Sequence, residues 1–81
     1  MQGKVVGFSA NHNRLAVLTE YGYTVFDIES GNASVYDVLT GNLDDHGSQV
    51  LTNQTTGQQM HVYIEAIQAS KAAAESLLRC I

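Results

Sequence analysis

The chain has 81 residues, 44% of them hydrophobic and 15% charged, and a net charge of −4 at pH 7. That length makes one small domain with one core, and the composition excludes a disordered chain, which would be poorer in apolar residues and richer in charge. No apolar run approaches the roughly 18 residues that cross a bilayer as a helix, so the sequence is read as making no membrane contact.

The first strand is predicted at Lys4–Ser9, with Gly7 as a bulge candidate. Ser9–Asn13 supplies turn chemistry. Leu15–Leu18 is apolar on both faces, which suits a strand buried on both sides. After a turn at Glu20–Gly22 comes Tyr23–Glu29, placing Thr24, Phe26 and Ile28 on one face and Tyr23, Val25 and Asp27 on the other. Glu29–Ser34 turns the chain again, Val35–Leu39 is a short strand, and Leu43–Ser48 is loop. Gln49–Asn53 adds a further strand. Gln59–Ile67 alternates, with Met60, Val62, Ile64 and Ala66 inward and His61, Tyr63, Glu65 and Ile67 outward.

A helix is expected over residues 70–80. Its three consecutive alanines have the best helix propensity, and Ser70 is a natural N-cap. Ala73, Leu77 and Ile81, with Leu78 beside them, form its apolar stripe, which must rest on the sheet or on a partner because so short a helix is not stable alone. The whole reads as a mainly β chain, residues 1–81 forming a single small domain. A five-stranded barrel with a C-terminal α-helix fits the turn spacing, OB-like in the first instance and SH3-like as the alternative.

Gly3-Lys4-Val5 followed by Phe8-Ser9 resembles the opening strand of cold-shock-type OB barrels. Tyr21-Gly22-Tyr23 and Val25-Phe26-Asp27-Ile28 resemble their aromatic strands, and Val35-Tyr36-Asp37-Val38-Leu39-Thr40-Gly41 a phrase common to S1 and cold-shock barrels. The similarity spans residues 3–41. It implies rings offered to single-stranded bases; Phe8, Tyr21, Tyr23, Tyr36 and Tyr63 are the candidate rings, of which Phe8, Tyr21 and Tyr23 are taken as the stacking residues, with Lys4 as the phosphate contact. Val6 and Gly7 stand where that family carries a further ring, and residues 1–69 hold two basic side chains against seven acidic ones.

No catalytic pattern emerges. Asp44-Asp45-His46 is three adjacent residues on one loop, a poor start for a metal site, so no metal and no cofactor are expected. Cys80 lies at the end of a helix, where nothing lowers a thiol pKa, and no histidine is paired with it by sequence. A lone cysteine permits no internal disulfide, and Met1–Gly7 lacks the apolar core of a secretory leader, which together suggest the cytoplasm. The expectation is a non-catalytic binding module, a weak binder of single-stranded nucleic acid. The alternative is a protein-interaction or self-assembling module acting through an edge strand or through Leu77 and Leu78 of the helix.

Overall fold

The computed structural model describes residues 1–10 and 13–79. Six strands and one helix follow in order: β1 (Gln2–Phe8), β2 (Arg14–Thr19), β3 (Gly22–Ser30), β4 (Val38–Thr40), β5 (Gly47–Asn53), β6 (Gln58–Ala69) and α1 (Lys71–Arg79). The strands close into a barrel in the order β1-β2-β3-β6-β5-β4, every pairing antiparallel. The barrel and its terminal helix match the expected class, but the strand count is six, not five. The ring is completed by β4, only three residues long, which joins β1 to β5.

Val5, Leu15, Val17, Phe26, Leu51 and Ile64 are among the fully buried side chains of the barrel interior. β2 is apolar on both faces for a reason visible in the packing. Leu15 and Val17 point inward, while Ala16 points outward into a second buried cluster with Val25 and Ala74, flanked by Tyr23, Ala66, Leu77 and Leu78. That second cluster is the underside of α1. The helix starts as expected: the Ser70 hydroxyl accepts from Ala73 N–H at 3.1 Å and the Ser70 carbonyl from Ala74 N–H at 2.9 Å.

Three expectations are corrected. The buried residue of the helix is Ala74, not Ala73, which is exposed; the stripe is Ala74, Leu77 and Leu78, and the small alanine lets the helix lie close on Ala16 and Val25. Ala66 turns outward under the helix and Ile67 packs against the interior. The cause is a register shift: consecutive Val25 and Phe26 pair with Ala66 and Ile64, leaving Glu65 as an extra residue that reverses the faces beyond it. Finally, residues 35 and 36 form a turn, so the strand expected from Val35 begins only at Val38.

Leu43, expected in loop, is fully buried in the barrel interior, where its carbonyl accepts from the buried Thr24 hydroxyl at 2.9 Å. At the turn between β2 and β3, Gly22 has φ +125°, and a Cβ there would stand 3.0 Å from the Ala69 carbonyl oxygen. Only glycine fits that conformation and that approach of two backbones without strain.

Candidate ligand-binding face

The strand registers assemble one exterior row. Val38 pairs with Lys4, Lys4 with Leu18, and Leu18 with Tyr23. Residues directly opposite on antiparallel strands share a face, so these four side chains line up across β4, β1, β2 and β3. Lys4 and Leu18 are exposed, and Tyr23 is half-buried against the edge of α1. A groove of about 300 Å³ continues from Tyr23 between the helix and β1, bordered by Val6, Ala16, Lys71 and Leu78. A shallower hollow of about 480 Å³ lies on the other side of the row, bordered by Lys4, Leu18, Glu20 and Val38.

The cations divide into two pairs. Arg14 is engaged by Asp27, its Nε at 2.6 Å from Oδ1 and Nη2 at 3.2 Å from Oδ2, and its Nη1 donates to the Leu77 carbonyl at 3.3 Å. This fork ties the end of α1 to the sheet. Arg79 lies 3.9 Å from Glu75, one helical turn earlier. Among the described residues Lys4 and Lys71 have no ion-pair partner, and both border the row or its groove.

The structure separates the expected stacking residues. Lys4 and Phe8, four apart, would share a face in a regular strand. Instead Val5 and Gly7 of β1 pair with the consecutive Val17 and Ala16, so Val6 is an extra residue and the alternation reverses. Phe8 therefore packs against the interior and borders a different hollow of about 320 Å³ at the barrel mouth, with Ile28 and Ala33. Gly7 is part of the bulge that the sequence placed there. Tyr21 sits in the β2–β3 turn with 62% of its surface exposed, its backbone N–H donating to the Thr19 hydroxyl at 3.2 Å. Leu77 and Leu78 are turned onto the barrel, so the apolar stripe of the helix is covered by its own chain.

Tyr36, one of the candidate rings not placed in the expected site, is the most exposed large hydrophobic residue described, at 72%. It lies in a turn held from both sides. Asp37 N–H donates to the Ser34 carbonyl at 3.0 Å, and Ser34 N–H donates to the Asp37 carboxylate at 2.9 Å. The same carboxylate accepts from the buried Asn53 amide at 2.9 Å. These bonds, that from Asn53 first, hold the Asp37 carboxyl below its ordinary pKa, against the opposing effect of desolvation. Asn53 in turn accepts from Thr55 N–H and Thr56 N–H, at 3.0 and 3.3 Å. The signal available in sequence was Ser34 and Asp37 at the first and fourth positions of a turn.

The loop Asp44-Asp45-His46 gathers no metal cluster. Asp45 accepts from Asn42 at 2.7 Å and Asp44 from Gln68 at 3.0 Å, and among the described residues no three His, Cys, Asp or Glu side chains come together. Cys80, His12 and Ile81 lie outside the described residues. Among the described residues no helix is long and apolar enough to cross a membrane. Comparison with family models, with curated proteins and with solved structures returned no match.

Proposed function

We propose that the chain is a non-catalytic binding module that takes a short single-stranded nucleic acid, weakly, on the exterior of β1, β2 and β3. What supports the reading is that Lys4 and Lys71, the two lysines without ion-pair partners among the described residues, border the two hollows that flank the exterior surface of Leu18, Val6 and Tyr23. An apolar and aromatic floor with cations at its margins suits a ligand of flat rings on an anionic backbone. Glu20 beside Lys4, Glu75 beside Lys71 and the chain's overall acidity limit the affinity. A cytoplasmic setting and a relationship to cold-shock-like OB barrels belong to the same proposal. The barrel supports that relationship, while the closed ring of six strands departs from the five-stranded, partly open OB pattern.

The test is a fluorescence titration with mixed DNA and RNA oligomers at several salt concentrations. Two lysines on single-stranded phosphates give a log–log salt slope of about −1.4, and Lys4→Glu should flatten it and weaken binding at low salt. Absence of binding at about millimolar protein, or a slope near zero, would overturn the reading.

A second reading, a protein-docking module, draws on a specific feature: Val6, Leu18 and Tyr36 are exposed on strands or turns adjoining β1. Its routes differ from those expected from sequence. The helix stripe is spent on the barrel, and the ring leaves no whole strand unpaired, so either a partner protein or a second copy would dock on this exterior face.

A further inference from the structure

We infer that Tyr36 is a second base-stacking residue, held in place before the ligand arrives, on the far side of Lys4 from Tyr23. The inference rests on the nucleic-acid reading above and extends its footprint. Tyr36 has φ +75°, a conformation that L side chains rarely adopt and that is a genuine outlier for a bulky ring. It occupies the third position of the Ser34–Asp37 turn, where the positive φ of a type II turn ordinarily selects glycine or asparagine. Nothing in the packing explains a tyrosine there, since its side chain is 72% exposed and joins neither hydrophobic cluster. A strained residue whose side chain contributes nothing to the core points to a use for that side chain.

The location agrees. Tyr36 N–H donates to the Val5 carbonyl at 2.8 Å, and Val5 N–H donates to the Asp37 carbonyl at 2.9 Å. The turn is thereby stitched to β1 beside Lys4 and Val6. From Tyr23 on β3, across β2 and β1, to Val38 is three inter-strand spacings, about 14 Å, and Tyr36 lies two residues further along the chain, about 7 Å more in the strand direction. A segment of about four nucleotides, the lower end of single-strand site sizes, can reach from one ring to the other over Lys4. Because the backbone is fixed by the Ser34, Asp37 and Val5 bonds, little ordering is left to occur on binding.

The test compares Tyr36→Gly, Tyr36→Phe and the parent in thermal melts and in titrations with a labelled mixed-sequence DNA tetramer and decamer at low salt. Glycine relieves the strained φ, and its greater unfolded-state freedom offsets part of that gain. Tyr36→Gly should therefore melt at the parent's temperature or above while binding the oligomers about 5- to 140-fold more weakly, the loss of one stacked base. Tyr36→Phe should bind like the parent. A Tyr36→Gly protein that melts several degrees lower would make the ring structural and overturn the inference. Parent binding that Lys4→Glu weakens but Tyr36→Gly leaves alone would overturn the inference and keep the nucleic-acid reading. A parent that binds neither oligomer would overturn both. If Tyr36→Gly instead abolishes a self-association seen by sedimentation, with no oligomer bound, the face is a protein surface and the inference fails.

Discussion

The exterior of β2, β3 and β6 and the exterior of β1 and β4 start from similar material and end differently. Both present apolar side chains outward: Ala16, Val25 and Ala66 on the first, Val6 and Val38 on the second, with Leu18 at the border. On the first, α1 supplies Ala74, Leu77 and Leu78 as a lid, and Ala16 and Val25 are buried. On the second nothing described covers the surface, and Val6 and Leu18 stay 38% and 44% exposed. The covered face is built of small residues that admit a close helix, with an Arg14–Asp27 fork pinning the end of that helix. The open face carries Lys4, which has no ion-pair partner among the described residues, and the strained turn of Tyr36. Burial on one side therefore serves stability, whereas the same kind of side chain on the other contributes little to it and is available for contact.

Breaking the covered face should have the largest effect. Leu77→Asp places a charge against Ala16 and Val25 and removes the apolar contact that holds α1 down. The expected loss is about 2–3 kcal/mol, less than for a fully buried leucine because Leu77 is only half-buried. In a domain of this size that lowers the melting temperature by at least about 8 °C. A variant melting with the parent would mean the helix is not part of the folding unit.

The next test concerns the turn that frames the open face. The Asp37 carboxylate is favoured in its charged form by the Asn53 and Ser34 bonds, so its pKa in the folded chain lies below the ordinary 3.8. A depressed carboxylate contributes stability that is fully present above the unfolded pKa and is lost as pH falls through the folded one. The parent should thus hold this contribution from neutral pH down to about 5 and shed it below about 4. Asp37→Asn, which cannot ionise, should be less stable than the parent at pH 7, and the gap should shrink at pH 3. Urea midpoints of both proteins at the two pH values measure this. A gap that stays constant or widens in acid would show that the charge of Asp37 does not matter.

Much of this division was legible in the residues. The doubly apolar Leu15–Leu18 announced a strand covered on both sides, which holds for Leu15, Ala16 and Val17 while Leu18 stays exposed; Ser70 announced the helix start, and Gly7 the bulge. What escaped were features that depend on counting across strands. The extra residues at Val6 and Glu65 reverse the faces beyond them, which moved Phe8 inward and Ala66 outward. Strict alternation holds only until such an insertion, and neither Val6 nor Glu65 is of a type that marks one. Leu43 escaped because loop composition surrounds it, although its burial is decided by the open end of the barrel. The turn at Tyr36 escaped because a tyrosine is the wrong residue for its φ, so propensity argued for strand. The row of Val38, Lys4, Leu18 and Tyr23 could not be read at all without register, since its members come from four strands.

The smallest expected effect sharpens the comparison most. Leu18 directly follows Val17 and is apolar like it, yet Leu18 points outward on the open side and Val17 is fully buried inside. Leu18→Thr introduces a β-branched strand former at a site already 44% exposed. The folded state loses little burial, and surface substitutions of this kind fall within about 0.5 kcal/mol. If the open face is a contact surface, the change should appear in binding instead: the oligomer titration should weaken while the melting temperature moves by less than about 4 °C. A large loss of stability would mean that Leu18 is covered in solution by something this exterior does not show, such as a second copy of the chain, and a concentration-dependent melting temperature would identify that cover. An unchanged melt with unchanged binding would leave the apolar side chains of β2 outside the contact and confine it to Lys4, Tyr23 and the turn of Tyr36.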